Sequence, residues 1–177
     1  MEVIKKVARI MCNGDTSTIR QKGFYTGIKT CKAASMVTGV PPVTGGIIMC
    51  DYGCLGFGDC IKECPTGAIK KRENLPPEID EDKCNACGLC IEKCPKDLIK
   101  LIPEDSRFFV ACASYDKEKV VKSVCDVGCI GCGMCETNCT YNAITIDNNL
   151  AKIDYKKCQN KGECFRECPA KCIHWER

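Results

Sequence analysis

The stretch that decides the fold reads Cys84-Asn-Ala-Cys87-Gly-Leu-Cys90-Ile-Glu-Lys-Cys94-Pro95. Three thiols at this spacing let one tight loop wrap three corners of an iron–sulfur cubane, with backbone N–H groups directed at its sulfides. The fourth thiol follows a short helical turn and leaves in another direction, so it ligates a neighbouring cluster. Pro95 lacks an N–H group and ends that turn. Zinc is the alternative, but its structural sites usually combine two cysteine pairs separated by a longer span.

The composition also indicates a metal scaffold inside the cell. Twenty of the 177 residues are cysteine, above the roughly 8–10% at which a cysteine scaffold is suspected. Charges interrupt the apolar run of residues 1–9, which predicts no signal peptide and hence a reducing cytoplasm with metal ligation. No apolar run approaches the ~20 residues needed to span a bilayer. The lysines are interleaved with acidic residues, so we predict no nucleic-acid partner.

The cysteine pattern occurs four times, and this repeat predicts the architecture. The other units are 54–65, 129–140 and 158–169, and each unit is followed by a short strand-like run. The connector that precedes Cys84 also recurs before Cys158. We therefore predict an α+β fold with two tandem bacterial-type 2x(4Fe-4S) ferredoxin modules, preceded by a small α/β segment.

The predicted domains are a leading segment 1–49, a first module 50–103, a strand–helix connector 104–124 and a second module 125–177. The leading segment carries a strand over 4–11 ending at Cys12, a helix between 28 and 38, and a Pro/Gly connector over 39–46. The connector carries a strand over 107–112 and a helix from Asp116, its expected N-cap, through Val124. The similar order of these two segments suggests an internal duplication.

Basic side chains dominate the leading segment. Two interpretations are a solvated face and a docking surface for an acidic redox partner. They are Lys5, Lys6, Arg9, Arg20, Lys22, Lys29 and Lys32.

Exchange of the fourth ligand between paired units predicts two complete ligand sets. One is Cys64, Cys84, Cys87 and Cys90, and the other is Cys129, Cys132, Cys135 and Cys168.

The other two units each lack their second cysteine. Phe57 stands at that position in the first unit, and Cys50 is the expected replacement. The predicted set is Cys50, Cys54, Cys60 and Cys94. In the last unit Lys161 stands there, and a protonated lysine has no lone pair for iron. Three outcomes stay open for its remaining cysteines: a cubane completed by Cys172, a 3Fe-4S cluster, or a 4Fe-4S cluster with a labile fourth iron. Those cysteines are Cys139, Cys158 and Cys164.

The remaining cysteines have no place in these sets. Cys12, Cys31 and Cys112 are expected to be buried structural residues rather than ligands of a fifth metal site, and Cys125 is surplus. His174 is the single histidine, and we predict neither acid–base catalysis nor a substrate site. The lack of a G-x-G-x-x-G motif argues against binding of nicotinamide or flavin.

The run 51–60, followed by the Cys84 unit, resembles the B subunit of the Rnf complex, the ion-translocating ferredoxin:NAD oxidoreductase of bacterial membranes. The likeness extends from about Val7 to the C-terminus. It implies a cytoplasmic subunit, peripheral at the inner face of the membrane, that accepts electrons from ferredoxin and passes them to membrane oxidoreductase subunits. The family usually begins with a membrane anchor and a further cluster-binding segment, which this sequence lacks, so a trimmed, split or stand-alone form is expected.

These observations together predict an electron-relay protein with four iron–sulfur clusters. Three clusters are expected to be 4Fe-4S, and the fourth either 4Fe-4S or 3Fe-4S. Two alternatives are an iron–sulfur subunit of another oxidoreductase, such as a hydrogenase or a 2-oxoacid oxidoreductase, and a zinc-bound interaction scaffold.

Overall fold

The computed structural model describes residues 5–37, 47–74 and 76–176. The predicted connector 39–46 lies outside these residues, as do the ends of the predicted elements at Ile4 and Thr38. The described elements, in chain order, are β1 (Lys6–Ile10), α1 (Cys31–Ser35), α2 (Asp59–Glu63), β2 (Ile69–Lys70), β3 (Glu78–Ile79), α3 (Leu89–Lys93), β4 (Ile99–Pro103), β5 (Phe108–Val110), α4 (Glu118–Val124), α5 (Met134–Thr137), β6 (Ile144–Asp147), β7 (Leu150–Ile153), α6 (Glu163–Arg166) and β8 (Ile173–Trp175).

The two halves of the molecule repeat one order of elements and one strand pairing. In the first half β2 pairs antiparallel with β3, and β1 pairs antiparallel with β4. In the second half β6 pairs with β7, and β5 pairs with β8, in the same sense. The α+β architecture of two tandem ferredoxin modules is confirmed, and the repeated pairing supports the internal duplication.

Strand β1 is part of the first module's sheet. Its register on β4 runs from Lys6 opposite Pro103 to Ile10 opposite Ile99. Four of the five residues of β1, from Val7 to Ile10, are buried in this pairing. The predicted domain boundaries stay a prediction. The pairing of β1 with β4 joins the leading segment to the first module, across the boundary predicted at residue 49.

The halves meet through β1, β4 and β5. Val7, Ile102, Phe109 and Ala111 form one core cluster across this junction. Arg9 is 3% exposed, forms an ion pair with Glu81, and lies 5.7 Å from the centre of the Phe109 ring. Arg9 therefore belongs to the junction and not to the basic surface that we expected for the leading segment.

Two predicted helices differ in their bounds. Helix α1 is shorter than predicted because Ile28 and Met36 are exposed, so the apolar spacing over 28–38 does not mark a buried face. It begins after Thr30, whose Oγ1 accepts a hydrogen bond from the backbone N–H of Ala33 at 3.1 Å. Helix α4 has Lys117, not Asp116, as its N-cap, and Lys117 makes no capping hydrogen bond with its side chain.

Candidate iron–sulfur centres

Four loops of the same backbone shape precede helices α2, α3, α5 and α6. Each contains two residues with positive φ, one at the helix N-cap and one two positions earlier. Left-handed residues in such a turn aim successive backbone N–H groups into a concave anion site. The residues, from the first loop to the last, are Gly56 and Gly58, Ala86 and Gly88, Gly131 and Gly133, and Asn160 and Gly162. The loops of the two incomplete units thus have the same shape as those of the complete units.

The segment after the fourth cysteine of each unit repeats as well. Its third residue has a positive φ in all four units, namely Gly67, Asp97, Asn142 and Lys171. The N–H group of the next residue then points back at the cysteine sulfur, as from Leu98 to Cys94 Sγ at 3.4 Å and from Ala143 to Cys139 Sγ at 3.3 Å. Such hydrogen bonds to sulfur stabilise thiolate ligands and tune a cluster's potential.

We number the groups of cysteines by the loops that they follow along the chain. The second group is the predicted set of Cys64, Cys84, Cys87 and Cys90, and its members come together as the ligand exchange predicts. Burial raises the pKa of the Cys90 thiol to about 11, and three neighbouring thiols add to the rise. Those neighbours are Cys84, Cys87 and Cys64. Cys87 is exposed, so this group reaches the protein surface.

The third group has the same arrangement. Burial raises the pKa of the Cys135 thiol to about 12, with contributions from Cys129, Cys168 and Cys132. Cys132 is exposed like its counterpart Cys87. The structure therefore brings together both sets that the sequence predicts to be complete.

The first group differs from the predicted set in one member. A single cavity is lined by four thiols, those of Cys31, Cys54, Cys60 and Cys94. Burial raises the pKa of the Cys60 thiol to about 12, and Cys31 and Cys94 add to the rise. Cys50 is not among the residues that line this cavity.

Helix α1 brings Cys31 to this cavity. The backbone N–H of Lys32 donates to Asp59 Oδ2 at 3.1 Å, which joins the first turn of α1 to the start of α2. Sequence reasoning missed Cys31 because it lies far from the repeat and its position depends on tertiary packing. The assignment of Cys50 as a ligand of the first cluster stays a prediction without geometric support.

The fourth group contains three thiols. Burial raises the pKa of the Cys164 thiol to about 11, and Cys158 and Cys139 add to the rise. Lys161 is exposed at the position of the missing second cysteine.

Cys172 faces the third group instead of the fourth. Its Sγ lies 3.6 Å from Cys168 Sγ, and its hydrogen bond lowers the pKa of the Cys168 thiol to about 5. Cys172 is also the positional counterpart of Ala68, Leu98 and Ala143, which are buried small or apolar residues after the other three units. The prediction that Cys172 completes the fourth cluster therefore finds no support in the geometry.

These groups suit iron–sulfur clusters in their donor atoms, because thiols beside backbone N–H groups are the ligands that such clusters use. Among residues 5–37, 47–74 and 76–176, no group of three or more Cys, His, Asp or Glu side chains could hold a single metal ion.

Two parts of the chain match models of iron–sulfur protein families. Residues 77–100 match a 4Fe-4S binding domain, and residues 128–172 match a 4Fe-4S dicluster domain. The chain is thus an iron–sulfur protein, as the cysteine spacing predicted.

Three curated relatives resemble the chain along nearly its whole length. The B subunit of the Na(+)-translocating ferredoxin:NAD(+) oxidoreductase complex of Acetobacterium woodii is 41% identical over 170 residues, which are 96% of this chain and 49% of the relative. The B subunit of the ion-translocating oxidoreductase complex of Methanosarcina acetivorans is 37% identical, over 96% of this chain and 62% of the relative. The B subunit of the proton-translocating ferredoxin:NAD(+) oxidoreductase complex of Clostridium ljungdahlii is 41% identical, over 95% of this chain and 58% of the relative.

The predicted resemblance to the Rnf B subunit is confirmed by these relatives. The chain spans about half to three-fifths of the length of the relatives that it matches. Within the described part of the chain, no helix has the length and apolar character needed to cross a membrane.

Proposed function

We propose that this chain is the electron-relay part of the B subunit of an ion-translocating ferredoxin:NAD oxidoreductase complex. The observation that carries the proposal is the series of four cluster-binding loops in one chain. Its likeness to three such B subunits supports the assignment. In this role the chain lies at the cytoplasmic face of the membrane, accepts electrons from reduced ferredoxin and passes them to membrane subunits.

The cysteines divide into four ligand groups in this proposal. The first is Cys31, Cys54, Cys60 and Cys94, and the second is Cys64, Cys84, Cys87 and Cys90. The third is Cys129, Cys132, Cys135 and Cys168, and the fourth is Cys139, Cys158 and Cys164. When bound, each cluster supplies a one-electron carrier. The first three groups have the four thiols of a 4Fe-4S cluster, whereas the fourth has the three thiols of a 3Fe-4S cluster.

The chain's own residues contribute burial, hydrogen bonding and access. Cys90, Cys135 and Cys164 are buried, which lowers the polarity around their groups. Backbone N–H groups donate to cysteine sulfurs, which raises a cluster's reduction potential by stabilising the added charge. The exposed Cys87 and Cys132 give the second and third groups contact with the surface, where a redox partner can approach.

The test uses the full chain, purified without oxygen and with its iron and sulfide quantified. Redox titration followed by EPR should give several low-potential, mutually coupled cubane signals, together with a three-iron signal in the oxidised sample. Chemically reduced ferredoxin should then reduce the protein in a stopped-flow experiment, and affinity purification from the native host should recover Rnf membrane subunits. Recovery of a soluble catalytic subunit instead, or bound zinc without cluster signals, would contradict the proposal.

A further inference from the structure

Four cysteines outside the four groups meet at the junction of the two halves. A single cavity is lined by the thiols of Cys12, Cys50, Cys112 and Cys125. It is similar in size to the cavity that the first group lines. The rest of its wall is mostly apolar and includes Ala111, Val121 and Val124.

Each half of the molecule contributes the same pair of cysteines. Cys12 follows the end of β1 by two residues, and Cys112 follows the end of β5 by two residues. Cys50 and Cys125 each precede the first cysteine of a cluster-binding loop, Cys54 or Cys129, by four residues. The four thiols therefore come from two equivalent places in a duplicated fold, which isolated buried cysteines would not require.

Backbone N–H groups donate to the sulfurs of the first pair. The N–H of Cys54 donates to Cys12 Sγ at 3.4 Å, and the N–H of Cys129 donates to Cys112 Sγ at 3.2 Å. A second donor, the N–H of Ser114, lies 3.5 Å from Cys112 Sγ.

Cys50 of the second pair lies near the other three thiols. Burial raises the pKa of the Cys50 thiol to about 12, and Cys12, Cys112 and Cys125 add to the rise. Two of the four sulfurs, those of Cys12 and Cys112, thus have the N–H contacts that stabilise thiolate ligands of iron–sulfur clusters.

Contacts between the halves hold the four thiols in place. Ile19 of the leading segment forms an antiparallel bridge with Cys125. The N–H of Arg20 donates to the Val124 carbonyl at 3.0 Å, and the N–H of Asp126 donates to the Thr18 carbonyl at 2.9 Å. Cys50 and Cys125 belong to one buried cluster with Ile19 and Val124. The cavity thus lies where the two halves pack against each other.

We propose that Cys12, Cys50, Cys112 and Cys125 bind a fifth 4Fe-4S cluster between the two halves of the chain. The proposal goes beyond the four groups described above and revises our expectations for these residues, which were a structural role for Cys12 and Cys112, no ligand role for Cys125 and the first cluster for Cys50. It also accounts for nineteen of the twenty cysteines as ligands, with Cys172 the one outside the five groups.

The location of the proposed fifth cluster between the two modules suggests a role in electron transfer between them. The N–H groups that donate to Cys12 and Cys112 belong to Cys54 and Cys129, which are ligands of the first and third groups in our assignment. A carrier at the junction is therefore the immediate neighbour of one group in each module. It links the two modules into one continuous path for single electrons.

The test compares iron and sulfide content among variants of the full chain, reconstituted without oxygen. The wild type should carry about 19–20 iron atoms, and the double variant Cys112→Ala/Cys125→Ala should lose about 4 iron and about 4 sulfide. Val124→Ala is the matched control, because it removes apolar volume from the same wall and leaves every thiol in place. It should retain the iron content of the wild type.

The same samples give a spectroscopic readout and a check of folding. Circular dichroism establishes that the variants fold, and EPR of the reduced protein should show that one cubane signal is lost while the others remain. Unchanged iron in the double variant would overturn the proposal. The proposal would also be overturned if the wild-type protein had its first four groups loaded but contained no more than about 16 iron atoms per chain. That result does not depend on whether the double variant folds. These counts do not depend on the redox partner, so they are separate from the test with ferredoxin.

Discussion

Lys161 is the residue that sets the fourth group apart. It occupies the position that Cys87 and Cys132 hold in the complete units, and the backbone around it keeps the cluster-binding shape. Asn160 and Gly162 have positive φ angles like their counterparts in the other loops. The departure is therefore confined to one side chain, while the loop is already formed for a fourth ligand.

We expect Lys161→Cys to convert the fourth group into a four-thiol set. The oxidised variant should lose the three-iron EPR signal and gain about one iron atom per chain, because the new thiolate ligates the open corner. Lys156→Cys is the control, since it adds an exposed thiol two residues before Cys158 and outside the ligand positions. A three-iron signal that persists in Lys161→Cys would show that the fourth corner stays open for another reason.

At the scale of the secondary-structure element, the repeated feature is a cluster-binding loop that leads into a short helix. The four helices that follow these loops have only four or five residues, too few for much stability of their own. Their position depends on the left-handed turn before them, on hydrogen bonds to sulfur and on the strand that follows. These contacts explain how such short helices recur four times with one geometry.

Variants of two glycines in the third loop distinguish the cost of backbone strain from the cost of a steric contact. Gly131 and Gly133 both have positive φ, but a Cβ at Gly131 would lie 2.8 Å from the backbone oxygen of Asn149, whereas a Cβ at Gly133 meets open space. Gly133→Ala should cost about 1–2 kcal/mol, from the left-handed conformation alone.

Gly131→Ala should cost about 2–4 kcal/mol, because the contact with Asn149 adds to the same strain. The measurement is chemical denaturation without oxygen, followed by visible absorbance of the bound clusters. Equal stability of the two variants would mean that Asn149 moves away without cost. Ala86 has φ +57 at the position equivalent to Gly131, so alanine itself is tolerated where the loop has room.

At the scale of the whole molecule, two similar halves are joined by apolar packing and by the contact of Arg9 with the Phe109 ring. In our proposal, four thiols at the junction join them as well. The core is divided into several small clusters, and cysteines are part of most of them. The largest fully buried side chains are few and spread over both halves. We therefore expect metal ligation to contribute to folding, as it does in other small domains with little apolar volume.

Arg9 allows a test of the buried ion pair beside the junction. Its side chain is 4% exposed and that of its partner Glu81 is 20% exposed, so Arg9→Ala leaves a largely buried carboxylate without a partner. We expect a loss of about 3 kcal/mol in the free energy of unfolding, measured by denaturation of the cluster-loaded protein.

Lys122→Ala provides the comparison, because the ion pair between Lys122 and Glu118 is exposed on α4. It should cost less than about 0.5 kcal/mol. Similar losses in the two variants would show that the Arg9–Glu81 pair contributes no more to stability than a surface pair does.

The local sequence determined the parts of this protein that lie close together along the chain. Cysteine spacing predicted the loops, the short helices and the two complete ligand groups, because each loop is shaped by residues within about ten positions of one another. It also predicted strand β1 and the strand after each unit. The ligand exchange within a module could be predicted because the connectors repeat.

Only the tertiary structure decided the contacts that depend on how separate elements pack. Cys31 lies beside the first group because α1 docks on α2, and no spacing rule indicates that position. Cys172 faces Cys168 because it occupies the buried position after the fourth unit. The cavity between the halves exists because β1 and β5 direct equivalent cysteines to one junction, which a reading of either half alone would not reveal.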